Sequence, residues 1–307
     1  MSDKSKRYLV AALYAVLMVL AADAAREKEI IFPEIIALLI GGLLSPKQVW
    51  ICGGPMLVGL MTFSAVCGVC ISAFLPLPLL GKLAVGFLLV ALLLIVTRTT
   101  LAPIISACIL PILLHTTSWI YPVSVLAAAL VIAATRRAFE HWRMSAPSDL
   151  PEGKIRWREE LPKWGKLFLV FLAVAAVPAL TGNPYFIAPP LLVTFVESAS
   201  FKPVMRKFTK KLIPFTLFAA LLGVSARYVL ADWLSLPLFV PALVITVLLF
   251  LVIEKTSLLF PPIGAISFLP LILPAQGLWL YPLEVTAGLC VFLAAVFLFF
   301  PIPKEPA

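Results

Sequence analysis

Apolar runs near bilayer length follow one another along almost the whole chain, from YLVAALYAVLMVLA at Tyr8 to LCVFLAAVFLFF ending at Phe300. A hydrocarbon core about 30 Å thick offers no water to backbone N–H and C=O groups, so a spanning segment must satisfy them within a helix or a closed barrel. Runs of roughly 20 residues suit helices, because barrel strands need only about 10. The composition agrees, since 62% apolar residues, 13% charged residues and a mean hydropathy of +1.09 lie outside the range of soluble domains. The expected fold class is all-α, a polytopic membrane protein of about twelve hydrophobic segments.

The chain also repeats itself. WIYPVSVLAAAL, from Trp119, returns as WLYPLEVTAGL, from Trp279. At a shift of about 155 to 160 residues, Pro33 meets Pro189, Phe63 meets Phe218, Gly68 meets Gly223 and Pro78 meets Pro237. Pro103 then meets Pro262, Pro111 meets Pro270, and Tyr121 and Pro122 meet Tyr281 and Pro282. Pro, Gly, aromatic and basic matches carry the weight, because Leu, Val and Ala coincide by chance in any apolar chain. Each half reads as six segments: 8–24, 32–45, 53–75, 78–97, 101–117 and 121–135, then 164–182, 185–200, 212–231, 236–253, 258–276 and 281–300. The expected organisation is a first membrane repeat over 1–135, a polar basic linker over 136–163 and a second repeat over 164–307.

The first segment, with Lys4, Lys6 and Arg7 before it and Ala22-Asp23-Ala24 after it, imitates a signal peptide. Its counterpart KWGKLFLVFLAVAAVPALTG, from Lys163, argues for a retained helix. With twelve crossings and the N-terminus inside, twenty of the 24 lysines and arginines fall on the cytoplasmic side, and only Arg26, Lys28, Lys82 and Arg227 fall outside. The expectation is therefore a multi-pass plasma-membrane (cell inner-membrane) protein with both termini cytoplasmic. An even number of crossings per half makes the repeats parallel, related by an axis along the membrane normal. The same positive-inside bias explains the net charge of +9, so no nucleic-acid partner is implied.

Two segments per half are short or broken by proline: FPEIIALLIGGLL with APPLLVTFVESAS, and LAPIISACILPILL with FPPIGAISFLPLIL. Fifteen helical residues rise only about 22 Å, which is too little to cross unaided. Such segments at matching places in two repeats point to a transporter's midplane site, although proline kinks also serve plain packing. TRTTLAP and EKTSLLFPP set a basic residue and hydroxyls ahead of the short fifth segments, where unpaired N–H groups favour an anion. The candidate substrate-binding residues are Arg98, Thr99, Thr100 and Pro103, with Lys255, Thr256, Ser257 and Pro262. The plain alternative makes the two cations interface anchors and the hydroxyls helix caps.

Other polar residues read as structural. Glu197 is expected to pair with Lys202 and Arg206, Glu34 to complement a helix dipole, and Glu254 to neutralise Lys255. His115 is expected to bond at the outer interface. The five cysteines, including the pair Cys67 and Cys70, sit in apolar runs and suggest small packing residues. No P-loop, H-E-x-x-H, zinc-spaced Cys/His cluster or G-x-S-x-G is present, so neither an enzyme nor a cofactor or metal is expected.

FPPIGA at Phe260–Ala265, followed by Pro270 and the Tyr281-Pro282 pair, resembles the HPP family of integral membrane proteins. IAPPLLVTFVESASFKPV, from Ile187, is similar to that family's earlier proline-led helix. The resemblance covers roughly residues 164 to 300, with the first half a fainter copy. It implies a multi-spanning domain, for which nitrite transport has been proposed in some members. The motif histidine is Phe260 here and Leu101 in the other half, so no role that needs it is carried over. The expected function is a permease for a small solute, first a small anion such as nitrite, in the lipid bilayer and with a homo-oligomer left open. The alternative is a non-transporting scaffold or subunit that docks partners through the basic linker, and a membrane-embedded enzyme ranks third.

Overall fold

A computed structural model describes residues 2–153, 155–201 and 208–300. Its elements in the first half are α1 (Asp3–Ala25), α2 (Glu34–Leu39), α3 (Gly54–Phe74), α4 (Leu79–Thr97), α5 (Pro103–Leu113) and α6 (Ile120–His141). The second half contributes α7 (Trp157–Thr181), α8 (Pro189–Val196), α9 (Thr209–Ala226), α10 (Phe239–Thr256), α11 (Pro262–Phe268) and α12 (Tyr281–Phe299). No strand occurs among the described residues. Eight of these helices, all except α2, α5, α8 and α11, are long and apolar enough to cross a bilayer. The chain is a multi-pass helical membrane protein.

Proline sets where the short helices begin. Pro103, Pro189 and Pro262 occupy first-turn positions of α5, α8 and α11, where a missing N–H costs nothing and the fixed φ suits a helix. Proline also disfavours helix in the residue before it, and Ala188 before Pro189 is accordingly non-helical, with ψ 136°, whereas Ala102 before Pro103 is already helical. α2 and α8 each run on through one π-helical turn, Ile40–Leu44 and Glu197–Phe201. Every residue of the four short helices is buried. Apolarity all round, which in water marks a core helix, here marks the helices shielded from lipid.

The long helices form a closed ring around them in the order α1, α10, α9, α12, α7, α4, α3, α6, with α6 returning to α1 through Tyr14 Oη and Thr135 Oγ1 at 2.9 Å. Inside it α2, α5, α8 and α11 form a second ring in that order. The two halves interlock, since α1 packs on α10, α7 on α4, α2 on α11 and α5 on α8. Helices approach closely where side chains are small, because in lipid packing replaces hydrophobic burial as the attractive term. α1 turns Ala11, Ala15, Val19 and Ala22 inward and Leu9, Leu13, Leu17 and Leu20 outward. A Cβ on Gly68 of α3 would collide with the Cys108 carbonyl and Pro111 of α5, and one on Gly223 of α9 with the Ser267 carbonyl of α11 and with Pro270.

Ends of the short helices lie inside the protein, where their last carbonyls need donors. Arg136 donates to the carbonyls of Gly42 (2.9 Å), Ser45 (3.2 Å), Pro46 (3.2 Å) and Ala146 (2.6 Å) and pairs with Glu140. Arg7 donates to Leu44 (3.3 Å) and Met144 (2.6 Å). On the far side Arg227 donates to the Pro270 and Leu273 carbonyls beyond α11, and Lys82 to Ser72 at the end of α3. Arg7, Arg136 and Arg227 are all buried. A guanidinium at a helix C-terminus supplies several charge-assisted bonds and complements the dipole.

These contacts sort the chain into two levels. Arg7, Leu44, Arg136 and Met144 share one level, to which Lys4 and Glu254 belong through their 2.7 Å ion pair. Asp23 and Phe239 meet at the other, where Asp23 Oδ2 accepts the Phe239 N–H at 2.8 Å. Two expectations change. Residues 136–141 belong to α6 and α7 starts at Trp157, so the connection between the halves is shorter than 136–163, and Arg136 is a buried staple instead of a solvated linker charge. Glu254 reaches Lys4 and not its neighbour Lys255.

The glycine contacts predict that Gly68→Val and Gly223→Val each cost about 1–3 kcal/mol through overpacking against a backbone that cannot yield. Gly59→Val on the open face of α3, where a Cβ meets nothing within 4 Å, should be neutral. Unfolding of the purified variants in detergent checks both expectations.

Candidate functional site

The four short helices converge on a small central cavity lined by Glu34 and Ala37 of α2, Pro103 and Ser106 of α5, Pro190 and Val193 of α8, and Pro261, Pro262 and Ala265 at α11, with Trp50. It admits the centre of a water over only about 10 Å³, which is room for about one molecule. The lining comes in pairs under the repeat offset: Glu34 with Pro190, Ala37 with Val193, Pro103 with Pro262 and Ser106 with Ala265. In the first and last pairs the polar member belongs to the first half. Prolines at the helix starts hold backbone without side-chain donors around the space, so polarity there comes from a few side chains.

Glu34 is 1% exposed, and its carboxyl oxygens meet only its own backbone N–H and the Ser106 hydroxyl, neither in the geometry of a full hydrogen bond. Ser106, fully buried, stands beside it, and its hydroxyl has no other partner than this carboxyl among the described residues. Burying such groups unpaired costs several kcal/mol for a charge and about 1–3 kcal/mol for a hydroxyl. A folded protein tolerates this where the groups have work to do or water to meet.

Trp50 lines the cavity on one level, and an aromatic pair stands near Glu34 on the other. Toward the Asp23 level, Phe32 and Tyr121 meet edge to face at 5.7 Å, with the Tyr121 hydroxyl donating to the Ala107 carbonyl. Beyond them lies an outer cleft of about 210 Å³ lined by Lys28, Glu29, Tyr121, Thr116 and Pro274. Toward the Arg7 level, the Trp50 ring fills the space over Gly41 and its Nε1 donates to Glu197 at 2.8 Å. Glu197 is fully buried, and its expected partners Lys202 and Arg206 lie outside the described residues.

The eight sequence candidates separate into three places. Pro103 and Pro262 line the central cavity. Arg98, Thr99 and Thr100 line an inner cleft of about 250 Å³ with Arg156, Lys163 and Trp164. Their hydroxyls are engaged: Thr99 donates to the Ile51 carbonyl at 2.7 Å and accepts from Leu101, and Thr100 accepts from the Ile51 N–H at 2.9 Å. Lys255, Thr256 and Ser257 are exposed at the end of α10, where Thr256 donates back to Val252. Arg98 and Ser257 adopt left-handed backbone as C-caps of α4 and α10, which ends each helix before the turn into α5 or α11. His115 is exposed, and all five cysteines are free.

Sequence reasoning missed Ser106 and Trp50 and read Glu34 as a dipole partner. Glu34 does open its helix, but only the structure shows it enclosed by three other helices. Comparison with family models, with curated proteins and with solved structures finds no match.

Proposed function

We propose that this protein is a permease for a small solute, with its binding site in the cavity between α2, α5, α8 and α11. One observation carries the reading: four fully buried, proline-led helices meet around an enclosed space that holds a buried carboxyl with only a serine hydroxyl beside it. A scaffold has no use for a buried carboxyl without a cationic partner at its centre, whereas a transporter needs polar groups that can meet a passing solute. Closure by Phe32–Tyr121 on one level and Trp50 on the other corresponds to an occluded conformer, and the small space favours a solute of a few atoms. A small anion such as nitrite remains the first candidate, because Arg98, Arg156 and Lys163 stand in the inner cleft, partly offset by Glu152 and Glu160. Transport would be passive or coupled to an ion gradient, since the sequence carries no ATPase motif.

The same reading makes the two halves parallel repeats. The ring order is unchanged when each helix is replaced by its counterpart six places along the chain. Gly68 on Cys108 and Pro111 matches Gly223 on Ser267 and Pro270, and the Tyr121 bond to Ala107 matches the Tyr281 bond to Ile266. Pro103 and Pro262 border one cavity, so both lie at similar depth. The chain would then cross twelve times, with α2, α5, α8 and α11 completing their crossings through non-helical lead-in segments. The Arg7 level, which holds most of the basic residues, would face the cytoplasm of a plasma-membrane protein.

Two measurements follow. In intact cells an impermeant thiol reagent should label Thr117→Cys and spare Glu152→Cys, and the opposite pattern would invert the orientation. In proteoliposomes a panel of labelled anions should include one whose uptake depends on the protein. For that anion Arg98→Gln should weaken affinity up to about fivefold, since an exposed charge contributes about 1 kcal/mol or less. Lys255→Gln and Arg137→Gln, both outside the clefts, should leave it unchanged. No protein-dependent uptake of any panel member at confirmed orientation would leave the docking-scaffold reading.

A further inference from the structure

We infer that Glu34 is a proton-carrying group, binding one proton in the central cavity and releasing it to water when the cavity opens, so that solute movement is coupled to protons. The inference rests on the permease reading for its coupling role, but not for proton binding itself.

The geometry favours a proton over a metal cation. Divalent ions of the Ca²⁺ or Mg²⁺ type need about six or more oxygen ligands. Around this cavity the side-chain oxygens are the two of Glu34 and the hydroxyl of Ser106, among prolines, Ala37, Val193 and Ala265. No group of three or more metal-ligating side chains occurs among the described residues. A single carboxyl with a hydroxyl beside it and space for about one water is sufficient for a proton. In the closed protein the neutral acid avoids an uncompensated charge in a dry site, which is the costly alternative. When the cavity is wetted, a water oxygen takes the proton, the O–H electron pair stays on the carboxylate, and the resulting charge is stabilised by solvent.

Among the described residues, no cationic side chain lines the cavity. α11 carries no ionisable side chain, α5 offers Cys108, and the buried face of α6 offers Tyr121, whose hydroxyl is committed to Ala107, and Arg136, which caps the opposite end of the α2 segment at Gly42. On the buried face of α1 the one charged residue is Arg7, which caps the opposite end of the α2 segment at Leu44. Tyr281 of α12 donates to Ile266, and Glu197 after α8 is engaged by Trp50. Glu29, in the outer cleft, is the carboxyl nearest along the chain on the solvent side of the Phe32–Tyr121 closure. An anion could share the cavity with Glu34 only while the acid is neutral, so an anionic substrate and a proton would travel together.

The test uses the full-length protein in lipid vesicles, first without any solute. Infrared difference spectra over about pH 5 to 9, the range open to buried carboxyls, should show a protonated-carboxyl band that disappears as pH rises. The band should be absent in Glu34→Gln, moved in Glu34→Asp and Ser106→Ala, and retained in Glu197→Gln. Absence of any Glu34-dependent band, or its removal by Na⁺ or Ca²⁺ at constant pH, would overturn the inference. A second arm adds a nitrite gradient and follows internal pH with a trapped dye, corrected for protein-free vesicles. Wild type should move about one proton per anion and Glu34→Gln should lose that proton movement. Proton movement intact in Glu34→Gln would overturn the coupling and leave the permease standing, whereas a titrating band without uptake of any solute would overturn the permease and leave the proton site.

Discussion

A helix that ends inside a membrane protein leaves about four carbonyls without partners, and the bilayer supplies none. The architecture depends on how that demand is met. Arg136 and Arg7 take the carbonyls of the α2 segment from Gly42 to Pro46, and Arg227 takes those after α11. Each guanidinium is buried and carries several donors in a fixed plane, which a lysine could not replace. With the ends secured, the chain is free to use helices too short to span, and these become the inner ring.

The inner ring in turn creates the site. A full-length helix presents only side chains at the bilayer centre, whereas a helix that starts there brings its first turn and its proline into the interior. Four such starts around one point give an enclosed space with fixed walls, and the close glycine contacts at Gly68, Gly223 and Gly264 hold those walls against the outer helices and each other. Glu34 sits in the first turn of one of them. Its buried carboxyl, with only the Ser106 hydroxyl and its own backbone beside it, is the part of the structure that packing alone does not explain, and it is where chemistry and fold meet.

Much of this was legible in the chain. Apolar runs located the segments, and prolines at 33, 103, 189 and 262 marked the four short ones, because proline acts locally through φ and a missing N–H. What escaped were residues whose meaning is set by distant partners. Arg136 stands at the end of an apolar run and looked like a linker charge until carbonyls about ninety residues away closed around it. Trp50 lies in a polar connection, yet its ring fills the gap at Gly41 and its N–H reaches Glu197. TRTTLAP advertised helix-start chemistry, but its threonines bond to the loop at Ile51, a pairing no local pattern announces.

Transport through this site requires the space between the short helices to open to water. Ala265, buried on α11 and lining the cavity, reports on it most directly when replaced by cysteine. Membranes carrying Ala265→Cys are exposed to a small charged thiol reagent, with the unsubstituted protein, which keeps its five native cysteines, as reference. Opening predicts reaction above that reference in the folded protein, slowed by a transported solute. No reaction above the reference, under conditions in which unfolding exposes the thiol at once, would mean a permanently dry centre and would contradict it.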